Sequence, residues 1–533
     1  MSAFTGTGGL VRLALRRDRI LLPVWTVIFL LTASSTASST KSLYPTVKDR
    51  VELASSTNDN TSLVAIYGRV YDTTSLGGAT LLKLMILGSI MAAILSIIIV
   101  VRHTRTEEES GRLELVGSTA IGRRAPLTAA LVIMVATNLV IGLFAALGLV
   151  GAGLSAGGSF ASGLAWASVG IAFGAIAAVV AQLTETGRAA IGYSSAVLGG
   201  FFLVRAIGDT SSEDGPRWLS WLSPFGWAQQ FRPFAGDRWW VALIALAFAA
   251  VAAAGAYVLV ARRDLGAGIL PDRPGRATAS ASLSGPLGLA WRLNRGVVIG
   301  WTIAAFVGGL LFGGIASNVG DLAGSSQSRD FITKLGGASG LTDAFLGTEL
   351  GFVGVFSSIL GVSVAMRMRT EETTGRAEPV LATAVSRLRW ASGFLTVALA
   401  GIVLILLAVG LGAGLTFGGA QHDVGGQVGR LLGAALVQIP AAWVIVSIVV
   451  LAFGFVPRFV VAGWAFLVAF LLLGELGPAF DLPQGVMDVS PFAHTPRLPG
   501  AEMTYTPIIW LLVVALGLGA VGLYGFRRRD ITS

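Results

Sequence analysis

Arg105-Thr106-Glu107-Glu108-Glu109-Ser110-Gly111-Arg112-Leu113-Glu114 returns later in the chain as Arg369-Thr370-Glu371-Glu372-Thr373-Thr374-Gly375-Arg376-Ala377-Glu378. Over 105–123 and 369–387, eleven of nineteen positions are identical, ending with Thr119-Ala120 and Arg123 against Thr383-Ala384 and Arg387. Other landmarks keep the same order. Ser223-Pro224-Phe225 matches Ser490-Pro491-Phe492, and Arg262-Arg263-Asp264 matches Arg528-Arg529-Asp530. Repeats of this length point to one architecture used twice.

The solvent of that architecture follows from composition. Of 533 residues 54% are hydrophobic and 13% charged, whereas soluble domains carry about 25% charged residues. Apolar runs near 20–39, 80–101, 127–150, 163–183, 189–207, 240–261, 297–316, 347–365, 391–416, 431–454, 459–476 and 507–526 approach the roughly 20 residues needed to cross about 30 Å of hydrocarbon. The fold class expected is an all-α polytopic membrane protein of about twelve spans, six in each tandem half. An even number of spans per half gives both copies the same orientation, a parallel pseudo-dimer. The halves are expected at 1–263 and 287–533, joined by a linker at 264–286 rich in Pro, Gly, Ala and Ser, with little regular structure.

The net charge of +9 is placed, not spread. With both termini inside, the inner loops receive 25 of the 38 Lys and Arg and the longer outer loops 13, while acids divide 12 inside and 17 outside. The positive-inside rule favours that orientation, and basic residues in short loops beside apolar runs argue against a nucleic-acid surface. Arg12 to Arg19 before an apolar stretch and the small residues Ala33 to Ser39 could also be a cleaved signal. Recurrence of Leu13-Ala14, Arg16, Arg19 and Trp25 as Leu289-Ala290, Arg292, Arg295 and Trp301 in mid-chain argues for a retained span. Cys is absent and only three His exist, so no metal site is expected.

The repeated charged element falls between spans two and three of each half. On a continuous helix Arg105, Glu108 and Arg112 share a face, as do Arg369, Glu372 and Arg376, with Glu108–Arg112 and Glu372–Arg376 as i,i+4 pairs. Glu107, Gly111 and Glu114 form a neighbouring face, mirrored by Glu371, Gly375 and Glu378, and lack a basic partner at that spacing. Charge runs are usually solvated surface. Retention of the same acids, Gly and Arg while the adjoining spans diverge favours an acidic surface for docking a second protein.

The signature Arg-x-Glu-Glu-x-x-Gly-Arg-x-Glu followed by Thr-Ala-x-x-Arg resembles the coupling element of ABC-2-type transporter permeases. The doubled chain resembles the double-length actinobacterial branch of antibiotic and polyketide exporters. In the wider family Thr commonly follows the Gly, where this chain has Arg112 and Arg376. The resemblance implies that two copies of a separate cytoplasmic ATPase bind ATP and Mg and that each receives one coupling element. This chain itself is expected to bind no cofactor, since it has no Gly-x-x-x-x-Gly-Lys-Ser/Thr loop. The expected function is the permease subunit of an ATP-driven exporter of hydrophobic drugs, antibiotics or lipid-like molecules, not an enzyme in itself, in a bacterial inner membrane.

The resemblance also makes spans two, five, eight and eleven the lining helices, offering Ser89, Met91, Ser96, Ser194, Phe201, Phe202, Ser357, Ser363 and Trp464 for a bulky apolar solute. Core packing explains these residues equally well. Residues 208–239, with Trp218, Trp221, Trp227 and Trp239 and followed at once by Trp240, and 477–506 read either as re-entrant short helices or as an aromatic belt. Arg205 and Glu475 are ionisable residues within spans. They could pair as an outer gate or simply snorkel to the interface. The competing class is an ion-coupled secondary transporter of the major-facilitator type, which needs acids or histidines at mid-membrane depth; the spans hold almost none.

Overall fold

The computed structural model describes residues 2–117, 119–212, 215–270, 278, 280, 283, 285–317, 337–473 and 483–530, and all regular structure among them is helical. Eleven helices among these residues are long and apolar enough to cross a membrane. The chain divides into two compact units, Met1–Gly275 and Arg276–Ser533, and the division falls inside 264–286.

In the first unit α1 (Thr7–Arg17) leads into α2 (Leu21–Leu43), followed by α3 (Val47–Asp59) and α4 (Thr61–Tyr67) in the first long loop. Thr46 and Asp49 bond each other's backbone N–H reciprocally, a capping box that starts α3. The first turn of α4 is capped by Asn60, whose side chain accepts from Ser62 and Leu63. Next come α5 (Leu76–His103), α6 (Arg105–Glu109) and α7 (Arg112–Gly117). The rest of the unit is α8 (Ala125–Gly151), α9 (Ala156–Leu183), α10 (Gly187–Thr210), α11 (Pro224–Gln230) and α12 (Val241–Arg262). At the unit's centre α9 buries most of its residues. It meets α8 where Gly142 and Gly163 face one another; a Cβ on either would lie 2.4 or 2.2 Å from the other's carbonyl oxygen. Small residues let the backbones approach where lipid gives helices no hydrophobic drive to associate.

In the second unit α13 (Pro286–Ala316) is continuous over the stretch where the first unit breaks between α1 and α2. After it come α14 (Gly337–Thr373), α15 (Ala377–Leu381), α16 (Arg387–Ala420), α17 (Val424–Leu436) and α18 (Ile439–Phe455), with α19 (Ala462–Leu471), α20 (Gln484–Met487) and α21 (Tyr505–Arg528) completing the chain. The expected span 431–454 lies within the single span Val424–Phe455, in which α17 and α18 are separated by a two-residue turn at Val437 and Gln438 just before Pro440, which has no N–H to give the preceding turn. Of the expected span 459–476, the residues up to 473 are described. A 3₁₀ turn occupies Pro457–Phe459 and α19 has ten residues, about 15 Å of rise, while 474–482 lie outside the described residues.

Apolar side chains cover the outsides of the units, among them Leu243, Leu246, Val251 and Val258 on α12. A chain in water rarely exposes contiguous apolar surface on that scale, and in a bilayer it faces lipid. Around 208–239 the aromatic residues divide by position. Every residue of α11 is buried, with Trp227 edge-on to Phe248, whereas Trp218, Trp239 and Trp240 are exposed. Ser223 opens α11 by accepting from Phe225 N–H and donates to the Phe201 carbonyl, and Ser490 donates likewise to Phe470.

Candidate functional site

Each copy of the repeated charged element is locked to its own unit through its acids. In the first unit α5 ends at His103 and the chain bends at Thr104. Arg105 is fully buried and donates to the carbonyls of Ala181 at the end of α9 and of Ala267, and to Glu108 at 2.8 Å. Glu108 also receives both terminal nitrogens of Arg263, which lies just past α12, at 2.8 and 2.5 Å. Arg263 in turn donates through Nε to Gln182. The second unit repeats the arrangement. Glu372 accepts from Arg369 at 3.2 Å and from Arg529 at 2.6 and 2.8 Å, and the Arg529 guanidinium lies over the rings of Phe453 and Phe526. Arg123 donates to the Arg263 carbonyl and Arg387 to that of Arg529.

This geometry corrects the helical pairing expected from spacing. The pairs Glu108–Arg112 and Glu372–Arg376 do not form, because Gly111 and Gly375 adopt φ of 70° and 71°. That left-handed turn ends one short helix and carries the fourth residue off its face. A Cβ at either glycine would meet nothing within 4 Å, so the requirement is conformational. The acidic face expected to be unpartnered is also partnered at its first member. Glu107 pairs with Arg17 and Arg112, and Glu371 with Arg367 at 3.3 Å. Burial, then repulsion from Arg102 and Arg112, lowers the Arg17 pKa, with Asp18 opposing. Glu107 and Glu108, Glu371 and Glu372 are therefore anchors. The surface left open follows each glycine: Arg112, Glu114 and Leu115, the last 75% exposed, in the first unit, and Arg376, Glu378 and Pro379 in the second.

The linker forms part of this anchor at its start. Ile269 and Leu270 N–H donate to the carbonyls of Gln182 and Leu183, so 265–270 runs back along the end of α9 with defined structure where little was expected.

Arg205 neither snorkels nor stands free. It is wholly buried, donates to the carbonyls of Val64, Ala65 and Ile66 and to Asp209 at 3.3 Å, and lies over Phe202. A cation on the last carbonyls of α4 satisfies groups that a helix end leaves open. Its terminal nitrogens are engaged within its own unit, while its Nε has no hydrogen-bond partner among the described residues; Glu475, the other half of the expected gate, lies outside the described residues. The hydroxyls offered for a pathway are mostly spent on their own helices: Ser89 on Met85, Ser96 on Ala92, Ser357 on Gly354 and Ser363 on Ile359. Ser194 is buried, and Met91 and Trp464 are partly buried. Phe201 and Phe202 pack edge-on to Phe173 and Phe225 respectively.

Sequence reasoning missed the roles of Arg263 and Arg529. Their signal was the repeated Arg-Arg-Asp, which lies far along the chain from the acids it serves. It also missed Asn138, buried in α8 and donating to Ser96. Among the described residues there is no cluster of three or more His, Asp or Glu able to hold a metal.

The family described as multidrug efflux system permease Rv1217c, C-terminal domain, matches this chain over residues 8–260 and again over 283–527. The chain belongs to this permease family. The permease is similar to the multidrug efflux system permease protein Rv1217c of Mycobacterium tuberculosis (strain ATCC 25618 / H37Rv). The two are 42% identical over 532 residues, which cover 99% of this chain and 96% of that protein. The permease is a multi-pass membrane protein, and as one part of an efflux system it works with a further component. Family membership lends the ion-coupled alternative no support.

Proposed function

We propose that this permease is the membrane subunit of an ATP-driven exporter and moves hydrophobic drugs, antibiotics or lipid-like molecules out of a bacterial cell across its inner membrane. Two copies of a separate cytoplasmic ATPase bind ATP and Mg and hydrolyse the nucleotide; the permease chain binds no cofactor and performs no hydrolysis. Both termini and both charged elements face the cytoplasm, in keeping with the 25 Lys and Arg of the inner loops. The multidrug efflux role of the 42% identical relative supports the substrate class.

The observation that carries the reading is the duplicated anchor: Glu108 on Arg105 and Arg263, Glu372 on Arg369 and Arg529. A solvated surface loop has no need of a buried carboxylate with two guanidiniums, whereas an element that transmits force must be fastened rigidly to the helices it moves. Its exposed tip, with Glu114 and Leu115 or Glu378 and Pro379, offers charge and apolar area to a partner. The test is to co-purify the chain with the ATPase it travels with and measure ATP hydrolysis with and without E114K and E378K together. Hydrolysis stimulated by the permease and lost in that variant, with the permease still folded, supports the reading. A chain that purifies alone and transports on a proton gradient overturns it.

A further inference from the structure

A half-open cavity of about 320 Å³ lies in the first unit, between the charged element and the ends of α8, α9 and α12. Its wall is graded along the helix axes. Leu127, inside α8, and Val260, inside α12, give an apolar floor, while Arg123 and Arg263, just outside those helices, stand at the rim. Any single occupant would meet an apolar wall at one end and guanidinium at the other.

The charges at the rim are unevenly matched. Glu108 and Asp264 line the cavity with Arg123 and Arg263, and Arg105 stands behind Glu108 at 2.8 Å, so three guanidiniums meet two carboxylates. Glu108 is already taken by Arg105 and Arg263. Arg123 is exposed and makes one hydrogen bond among the described residues, to the Arg263 carbonyl. A volume of 320 Å³ holds about ten water-sized groups, enough for a phosphodiester head and the first methylenes of a chain.

We propose that this cavity holds an anionic phospholipid of the surrounding leaflet, with its phosphate on Arg123 and its chain leaving past Leu127 and Val260. Basic pockets between spans take such headgroups by charge, with hydrocarbon completing the fit. The lipid would wedge the joint between the charged element and α12, and the site does not depend on the identity of the motor.

The test uses the full-length chain in phosphatidylcholine nanodiscs containing a photo-crosslinkable phosphatidylglycerol, with attachment sites mapped by mass spectrometry. Labelling is expected within 121–127 and 260–265 and is competed by unlabelled phosphatidylglycerol but not by phosphatidylcholine. R123Q weakens labelling about fivefold, the effect of one basic residue at a lipid surface. V260W fills the floor and abolishes it. The variant L243W, on the exposed face of α12, checks folding and leaves labelling intact. Equal labelling by a phosphatidylcholine probe, or labelling indifferent to R123Q and V260W, overturns the proposal. Displacement of the probe by inorganic phosphate would make the ligand a free anion and overturn the lipid assignment.

Discussion

Replacing Glu108 by Gln tests the anchor directly. The carboxylate receives three N–H donors from two guanidiniums whose side chains are 0% and 7% exposed. Gln keeps the shape but presents an NH₂ group to at least one of them and removes the neutralising charge. Removing one member of a buried ion pair costs about 3–5 kcal/mol. The lower end applies, because Arg105 keeps the carbonyls of Ala181 and Ala267 and Arg263 keeps Gln182. About 3 kcal/mol is roughly a hundredfold in equilibrium constant, so local opening of the α6–α7 element and of 265–270 should become about a hundredfold more populated. Amide exchange followed by mass spectrometry reads this at Glu108, Ile269 and Leu270, whose N–H groups donate to Thr104, Gln182 and Leu183. Peptides of α16 serve as the control. Faster exchange in those segments alone is expected. A change below about threefold, or one spread evenly over both units, would refute the view that Glu108 is an anchor.

The exposed tip should behave oppositely: Glu114→Gln leaves exchange and melting unchanged, within about 0.5 kcal/mol for a surface site, while reducing stimulated ATP hydrolysis. Gly111→Ala forces a Cβ into a left-handed backbone with no clash, so thermal unfolding should show a loss of about 1–2 kcal/mol, partly recovered by G111N, since Asn tolerates that region. Arg205→Leu strands buried Asp209 and the last carbonyls of α4, a loss of about 3–5 kcal/mol. It should be read as protease cleavage within 44–75; a gate role would instead give leak with the loop still protected. Gly454→Leu puts a Cβ 2.1 Å from the Gly522 carbonyl oxygen, and overpacking of about 1–3 kcal/mol should appear as a lowered melting temperature.

The spans were legible because hydrocarbon imposes length and apolarity, and sequence displays both. The failures have local causes. Pro440 and Pro457 interrupt backbone ladders in ways that hydropathy does not see, so a two-residue turn falls within 431–454 and a 3₁₀ turn precedes α19. In the charged element the sequence carried the duplication but not the partners. Helical spacing assigned Arg112 to Glu108, while the positive φ of Gly111 handed Glu108 to Arg263, more than a hundred residues away. The glycine was the clue, since a glycine kept in both copies within a charged helix marks a turn more readily than a face. The partners of Arg205 were illegible for a different reason. A lone arginine in a span invites a gate, and only the tertiary approach of α4 reveals that three carbonyls consume it.

The two anchors share a plan but not a strength, and the difference can be worked from the same residues. Without Glu108, Arg105 is left wholly enclosed beside Arg263. Without Glu372, Arg369 is 27% exposed and can turn to solvent, while Arg529 is held over Phe453 and Phe526. A cation over aromatic faces recovers roughly 0.5–2 kcal/mol, so E372Q should cost about 1–2 kcal/mol less than E108Q. Exchange in α15 should then rise about tenfold, against about a hundredfold in α6–α7. The first unit also ties its element to α1 through Arg17 on Glu107 and to α10 through Glu109, which accepts from Gly187. The second has Thr373 at the position of Glu109. Equal responses to E108Q and E372Q would mean that burial of the guanidiniums does not set the cost, and the asymmetry argued from Arg105 and Arg369 would fall.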